Sequence, residues 1–212
     1  MYLFTRAARL ATGHLVESMD WSARMTEKVN ALSEVEVSLW TTVFSPGLLT
    51  LSWTAVVENL SQMTTLNDKT LADSGYVELA DEGAKYSSGE AIDDSLVRFV
   101  HADPDGASAT TQFASVVQAV LAPGHAVTGI ELGVEIAQRA KAVTGRPTSF
   151  GASVTGTYGS VGWISLYDSV DEVQQANEAL AADADFAALL DAKASGAYLA
   201  GASSQTLHRK IA

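Results

Sequence analysis

Apolar residues recur along the chain with two different periods, and the switching between them gives an order of elements. Residues 2–11 read as an extended strand closed by the Gly13-His14 turn. Trp21, Met25, Val29 and Leu32 then fall at i, i+4, i+8 and i+11, the apolar stripe of an amphipathic helix. Over residues 35–43 the period drops to two. Val35, Val37, Leu39, Thr41 and Val43 share one side of a strand, and Glu36, Ser38, Trp40 and Thr42 the other. Ser45-Pro46-Gly47 is a turn that folds the chain into a third strand over about residues 48–58. A second helix carries Leu60, Met63, Leu66 and Thr70, and a last strand spans residues 95–101.

The same order is then written again. Displaced by 111 residues, Ala8 to His14 falls on Ala119 to His125, and residues 7–32 share seven identities in 26 positions with their counterparts. After a one-residue change of offset, to 110, Trp53 aligns with Trp163, Asn67 with Asn177 and Ala72-Asp73 with Ala182-Asp183. Leu132, Ile136, Ala140 and Val143 repeat the first helix stripe, and Val170, Val173, Ala176 and Leu180 the second. Strand, helix, strand, strand, helix, strand is the ferredoxin-like plan, with both helices on one face of an antiparallel sheet. Two such units are expected, residues 1–102 and 110–212, joined by a polar, turn-forming linker at about residues 103–109. One such sheet leaves its other face uncovered, and tandem copies can bury it by packing sheet against sheet. The expected fold class is α+β.

These residues resemble the dimeric α+β barrel superfamily, and within it NIPSNAP-type domains. The resemblance is carried by Pro123-Gly124-His125 after a strand, by Val161 to Ser169 entering a helix, and by Asn177 to Leu180 with Asp183 to Phe186. The first copy matches less well, with Thr12 in place of the proline and Tyr76 in place of Phe186. The resemblance implies two tandem ferredoxin-like βαββαβ repeats packed sheet-to-sheet as a pseudo-dimeric α+β barrel. Relatives include cofactor-free monooxygenases, ring-cleavage and cyclisation enzymes, and haem proteins in which a histidine ligates iron, so the fold alone sets no reaction.

Composition narrows the partners. Thirteen Lys and Arg face 25 Asp and Glu, a formal net charge of −12, and the acid excess is present in both halves. No basic stripe exists to neutralise phosphates, so neither nucleic acid nor an anionic membrane is an expected partner. No run approaches a membrane span, residues 1–20 lack the apolar core of a signal peptide, and a cytoplasmic location is the default. The absence of cysteine excludes disulfides, thiolate metal sites and a cysteine nucleophile. There is no His-x-x-x-His, Gly-x-Ser-x-Gly or Gly-x-Gly-x-x-Gly, so no metal or cofactor is expected.

The candidate chemistry lies in histidines, aromatics and one arginine. His14 and His125 are repeat-equivalent, each at a strand-to-helix turn, and are read as catalytic: a general base, or a polar group holding a ligand. The alternative is that the same turn geometry keeps both. His208 stands opposite Val97 in the repeat, and a departure from symmetry is where a single site would arise. By analogy with haem-binding relatives, it is also the residue that could ligate iron. Trp40, Tyr158 and Tyr167 lack aromatic counterparts and, with Arg98 and His208, are read as ligand-binding. Trp53 and Trp163, which match each other, read as core.

The leading expectation is a barrel that holds a small, largely apolar molecule, either as a monomer (a pseudo-dimer) or a homo-oligomer. If it is an enzyme, the resemblance implies cofactor-independent oxidation or isomerisation of a planar, enolisable compound. A non-catalytic assembly protein with a filled barrel core, or a haem-binding barrel, are the alternatives.

Overall fold

A computed structural model describes residues 1–103, 105–194 and 196–212 of the chain. They form two units, Met1–Leu96 with Lys210–Ala212, and Val97–Arg209. The first contains β1 (Tyr2–Arg9), α1 (Leu15–Leu32), β2 (Val37–Val43), β3 (Thr50–Val57), α2 (Leu60–Ala72), α3 (Ser74–Gly83) and the start of β4 (Asp93–His101). The second takes the rest of β4 and continues with β5 (Phe113–Val120), α4 (Ala126–Thr144), β6 (Thr148–Ser153), β7 (Ser160–Tyr167) and α5 (Val170–Ala182). It ends with α6 (Ala184–Ala188), which runs into a π-helical turn (Leu189–Ala194), and β8 (Ser204–Lys210).

Each second helix is followed by another that the six-element plan lacks, and one aspartate makes each break. Asp73 ends α2 by donating its N–H to the Thr70 carbonyl at 3.2 Å. Its carboxylate accepts the Tyr76 N–H at 2.8 Å and so opens α3. Asp183 does the same between α5 and α6, accepting the Phe186 N–H at 2.7 Å. A single residue with extended backbone serves as end cap and start cap, leaving no loop for composition to mark.

The strands pair antiparallel, β1-β3-β2 in the first unit and β8-β5-β7-β6-β4 in the second. Register fixes which side of each sheet meets the helices. Leu39 lies opposite Trp53, and Val37 opposite Ala55. These residues and Leu51 pack with Trp21, Met25 and Leu66 from the helices. In the second unit Phe150 lies opposite Trp163 and Ala152 opposite Val161. Phe150, Val161 and Trp163 pack with Leu132, Ile136 and Ala137 of α4. Leu39 and Phe150 are fully buried, each contributing about 1.5–3 kcal/mol of transfer free energy. The indoles are satisfied as well as buried: Trp53 Nε1 donates to Thr26 Oγ1 at 3.0 Å, and Trp163 Nε1 to the Gly133 carbonyl at 2.8 Å.

Candidate functional site

Successive strand residues alternate sides, so the register that puts Phe150 and Trp163 under the helices puts their neighbours on the opposite, helix-free face. In the second unit this face carries Ala114, Val116 and Gln118 of β5, opposite Leu166, Ile164 and Gly162 of β7. On the other flank of β5, His208 stands opposite Ala114, Thr206 opposite Val116 and Ser204 opposite Gln118. Three rows result. One holds His208, Ala114 and Leu166, the next Thr206, Val116 and Ile164, and the third Ser204, Gln118 and Gly162. Gly162 has no side chain, so the peptide backbone itself is the surface beside Gln118.

The two faces of this sheet are packed differently. Under the helices, Val161 is 1% exposed and Trp163 8%. On the helix-free face Val116, Ile164, Leu166, Thr206 and His208 are all half-buried. The His208 ring Nε2 lies 3.0 Å from Thr206 Oγ1. Burial pushes the His208 imidazole below its ordinary range, because desolvation disfavours the charged form. It is therefore a neutral imidazole at neutral pH, able to accept a proton.

The first unit's helix-free face is polar in a different way. Trp40 lies opposite Ser52, and Ser38 opposite Thr54, while Thr5 pairs with Thr54 and Ala7 with Ser52. Trp40 is 8% exposed, and its Nε1 donates to Thr54 Oγ1 at 3.0 Å. Of the sequence candidates, then, Trp40 and His208 lie on helix-free sheet faces.

The others lie elsewhere. Tyr167 is opposite Phe113, on the other side of the sheet from His208. It is buried there, and burial pushes its phenol up, against the opposing pull of Ser165 and Arg146. Arg98 is opposite Ala152 and exposed. Tyr158, at the tip of the β6–β7 hairpin, is wholly exposed. His14 and His125 are exposed residues immediately before α1 and α4, and neither side chain caps its helix. His125 borders a surface cleft with Glu131, Leu132 and Ala197. Thr206, Gln118, Val116 and Ile164 were not singled out by the sequence. Both faces of β5 are rich in small and apolar residues, so alternation alone could not say which side was free of helices. Among the described residues, no cluster of three or more His, Asp or Glu could hold a metal ion, and no helix is long and apolar enough to cross a membrane.

No family model matches the chain, and no curated protein matches it. Solved structures do. A candidate monooxygenase of Fusobacterium nucleatum aligns over 100% of this chain and 92% of its own, with a TM-score of 0.72 and 7% identity. An anthrone oxidase-like protein aligns over 100% of this chain and 91% of its own, with a TM-score of 0.68 and 11% identity. The chain has the dimeric α+β barrel fold. That fold explains why one strand-helix-strand-strand-helix-strand plan is written twice. A NIPSNAP domain protein of Burkholderia xenovorans aligns over 46% of the chain and 93% of its own, with a TM-score of 0.40 and 14% identity. At these identities the α+β barrel neighbours share the fold and carry no reaction across to this chain.

Proposed function

We propose that the protein binds a small, largely apolar, planar molecule against the helix-free face of the second unit's sheet, and that His208 removes a proton from it. The observation that carries this reading is the half-buried His208 side chain on the same sheet face as Val116, Ile164 and Leu166; burial there disfavours its charged form. Apolar side chains that are neither sealed nor fully exposed suit a flat ligand, and polar groups at their margin suit its orientation. A base works best when its protonated form is not far from neutral pH and its free form is abundant. The fold neighbours, a candidate monooxygenase and an anthrone oxidase-like protein, support this class of chemistry.

The reaction balances without a bound cofactor. His208 takes a proton from an acidic CH₂ flanked by a carbonyl or an aromatic ring, leaving an enolate. Dioxygen is the oxidant: the CH₂ becomes C=O, one oxygen atom enters the product, and the other leaves as water. Without oxygen, return of the proton to another carbon gives isomerisation. Gln118 and Thr206 are the polar groups positioned to hydrogen-bond the enolate oxygen.

The test uses anthrone as probe, following quinone formation and oxygen uptake. His208→Gln is expected to lower kcat/KM by about 10²–10⁴, while His125→Ala stays within about twofold because its side chain is exposed at a helix start. Equal rates in wild type and His208→Gln would remove His208 from the mechanism. A Soret band in freshly purified protein would instead favour the haem-binding alternative, with His208 as ligand.

A further inference from the structure

The glycines within the second unit's helices and strands are not alike. A Cβ added to Gly129, Gly133 or Gly151 would clash with Leu121, Phe150 or Val97. Internal packing demands those three. Gly162 lies within β7, between β5 and β6, and its backbone is not left-handed. A Cβ there would meet only the Val117 carbonyl oxygen at 3.3 Å and Gln118 Cγ at 3.9 Å. The first contact is tight, and a small shift of the strand relieves it. A glycine inside a strand weakens it and often marks a place where something approaches closely. Neither a turn nor a packed neighbour among the described residues requires this one.

The first repeat shows what occupies the corresponding ground. Ser52 and Thr54 stand where the second repeat has Gly162 and Ile164, and Trp40 stands where it has Gly151. The registers agree, with Trp40 opposite Ser52 and Gly151 opposite Gly162. In the first repeat the Trp40 indole is buried and donates to Thr54 Oγ1 at 3.0 Å. In the second repeat the indole is gone and its hydroxyl acceptor has become isoleucine. Ala7, the neighbour of Ser52, is matched by Gln118, the neighbour of Gly162. Val97 lies against Gly151, so the room left by these exchanges is over Gly162 and Ile164. Gly162, Ile164 and Val116 are half-buried, and Gln118 and Ser204 are exposed beside them.

We infer that Gly162 is the seat of an aromatic ring of the ligand, in the place that the first repeat gives to its own indole. The ring stacks on the Gly162 peptide and packs against Ile164 and Val116. Loss of the indole together with its acceptor argues for a ring there, and the added amide argues for what the ring carries. Gln118 offers an uncharged donor and acceptor, with the Ser204 hydroxyl opposite it. They match a neutral hydroxyl or carbonyl on the ring rather than a carboxylate or an ammonium. The inference rests on the reading that this face binds the ligand, but not on His208 as the base.

The probe is 2-naphthol, which has no acidic CH₂ to oxidise, titrated into the full chain and followed by backbone amide shifts. Its counterparts are 2-decalol, the saturated alcohol of the same skeleton, and the anion 2-naphthoate. Saturable shifts are expected from 2-naphthol at about residues 116–118, 161–164 and 204–206, with both counterparts at least about tenfold weaker. Gly162→Ala should weaken 2-naphthol about tenfold while Tm stays equal to wild type or rises, because alanine restrains the unfolded chain more than glycine does. Gln118→Leu, a change at an exposed side chain that leaves β7 untouched, should also weaken it. The inference is overturned if 2-naphthol gives no saturable shifts at millimolar concentration, if 2-decalol binds equally, or if Gly162→Ala binds the probe as wild type does. The two readings fail separately. Weakened 2-naphthol in Gly162→Ala with unchanged anthrone rates in His208→Gln would keep the seat and remove the base. Lost turnover in His208→Gln with unchanged 2-naphthol binding in Gly162→Ala would keep the base and remove the seat.

Discussion

Asp103 lies in a stretch whose composition reads as a linker, yet its carboxylate is buried and firmly held. It accepts from Lys141 Nζ at 2.8 Å, from the Asp105 N–H at 2.9 Å and from the Thr148 N–H at 3.1 Å. Burial alone would push this carboxyl up, but Lys141 and the two amides outweigh it and hold it below the usual carboxylate range. Removing a buried carboxylate strands its donors, so Asp103→Ala should cost about 2–4 kcal/mol in urea unfolding at pH 7. The effect has a direction in pH. A depressed carboxyl stabilises the fold above its unfolded value of about 4 and loses that contribution as pH falls through the folded value. Wild type and Asp103→Asn should therefore converge in stability under strongly acidic conditions; a constant gap would contradict the assignment. His208 acts at higher pH. Burial disfavours its imidazolium, so the unfolded chain binds a proton that the folded chain resists. Stability should fall as pH drops below about 6.5 toward the lowered folded value. His208→Gln should flatten that slope, and proton NMR of the ring should place its midpoint below 6.5, the ordinary histidine value.

Among the elements, α1 and α4 show both how far the sequence could be read and where it stopped. The stripes through Trp21 and Met25, and through Leu132 and Ile136, were legible because large apolar residues keep a helical period. The closest approach to the sheet was not legible, because small residues make it. Ser18, Ser22 and Thr26 in α1, and Gly129, Gly133 and Ala137 in α4, form a second buried stripe at four-residue spacing. The α1 hydroxyls bond to their own helix, Ser22 to the Met19 carbonyl at 2.8 Å and Thr26 to the Ser22 carbonyl at 2.8 Å. A count of apolar residues passes over them. A Cβ added to Gly133 would lie 2.1 Å from Phe150 Cζ. Gly133→Ala gains about 1 kcal/mol of helix propensity, but the clash with a fully enclosed ring costs up to about 3 kcal/mol or more. The net effect should be a lower Tm by several degrees, and a raised Tm would show that Phe150 can move aside. The β2–β3 hairpin offers the opposite sign. Phe44 has φ 50° and is 85% exposed, a left-handed backbone with little burial in return. Phe44→Asn should stabilise by about 0.5–1 kcal/mol, read as a higher urea midpoint at unchanged slope.

For the whole molecule, the repeat made the fold legible, because two copies with matching glycines, tryptophans and helix stripes cannot both arise from chance alternation. Function is harder to see because it depends on where the copies differ, as at Trp40 against Gly151, Ser52 against Gly162 and Val97 against His208. A sequence shows such differences without showing which face carries them. Charged residues set the electrostatics. Arg6, Arg24, Lys28, Arg139, Lys141 and Arg146 each lie within 2.8 Å of a carboxylate. Thirteen cations still cannot offset 25 acids. Close pairs are screened weakly, whereas repulsion among the excess carboxylates acts over longer distances. It is cut strongly as the Debye length falls from about 30 Å at 0.01 M salt to about 8 Å at 0.15 M. Exposed pairs are worth at most about 1 kcal/mol each, so relief of repulsion should win. Sodium chloride, which lacks the strong surface exclusion of sulfate, should therefore raise Tm by a few degrees over that range. A Tm that falls instead would mean that the ion pairs, rather than the charge excess, set the balance.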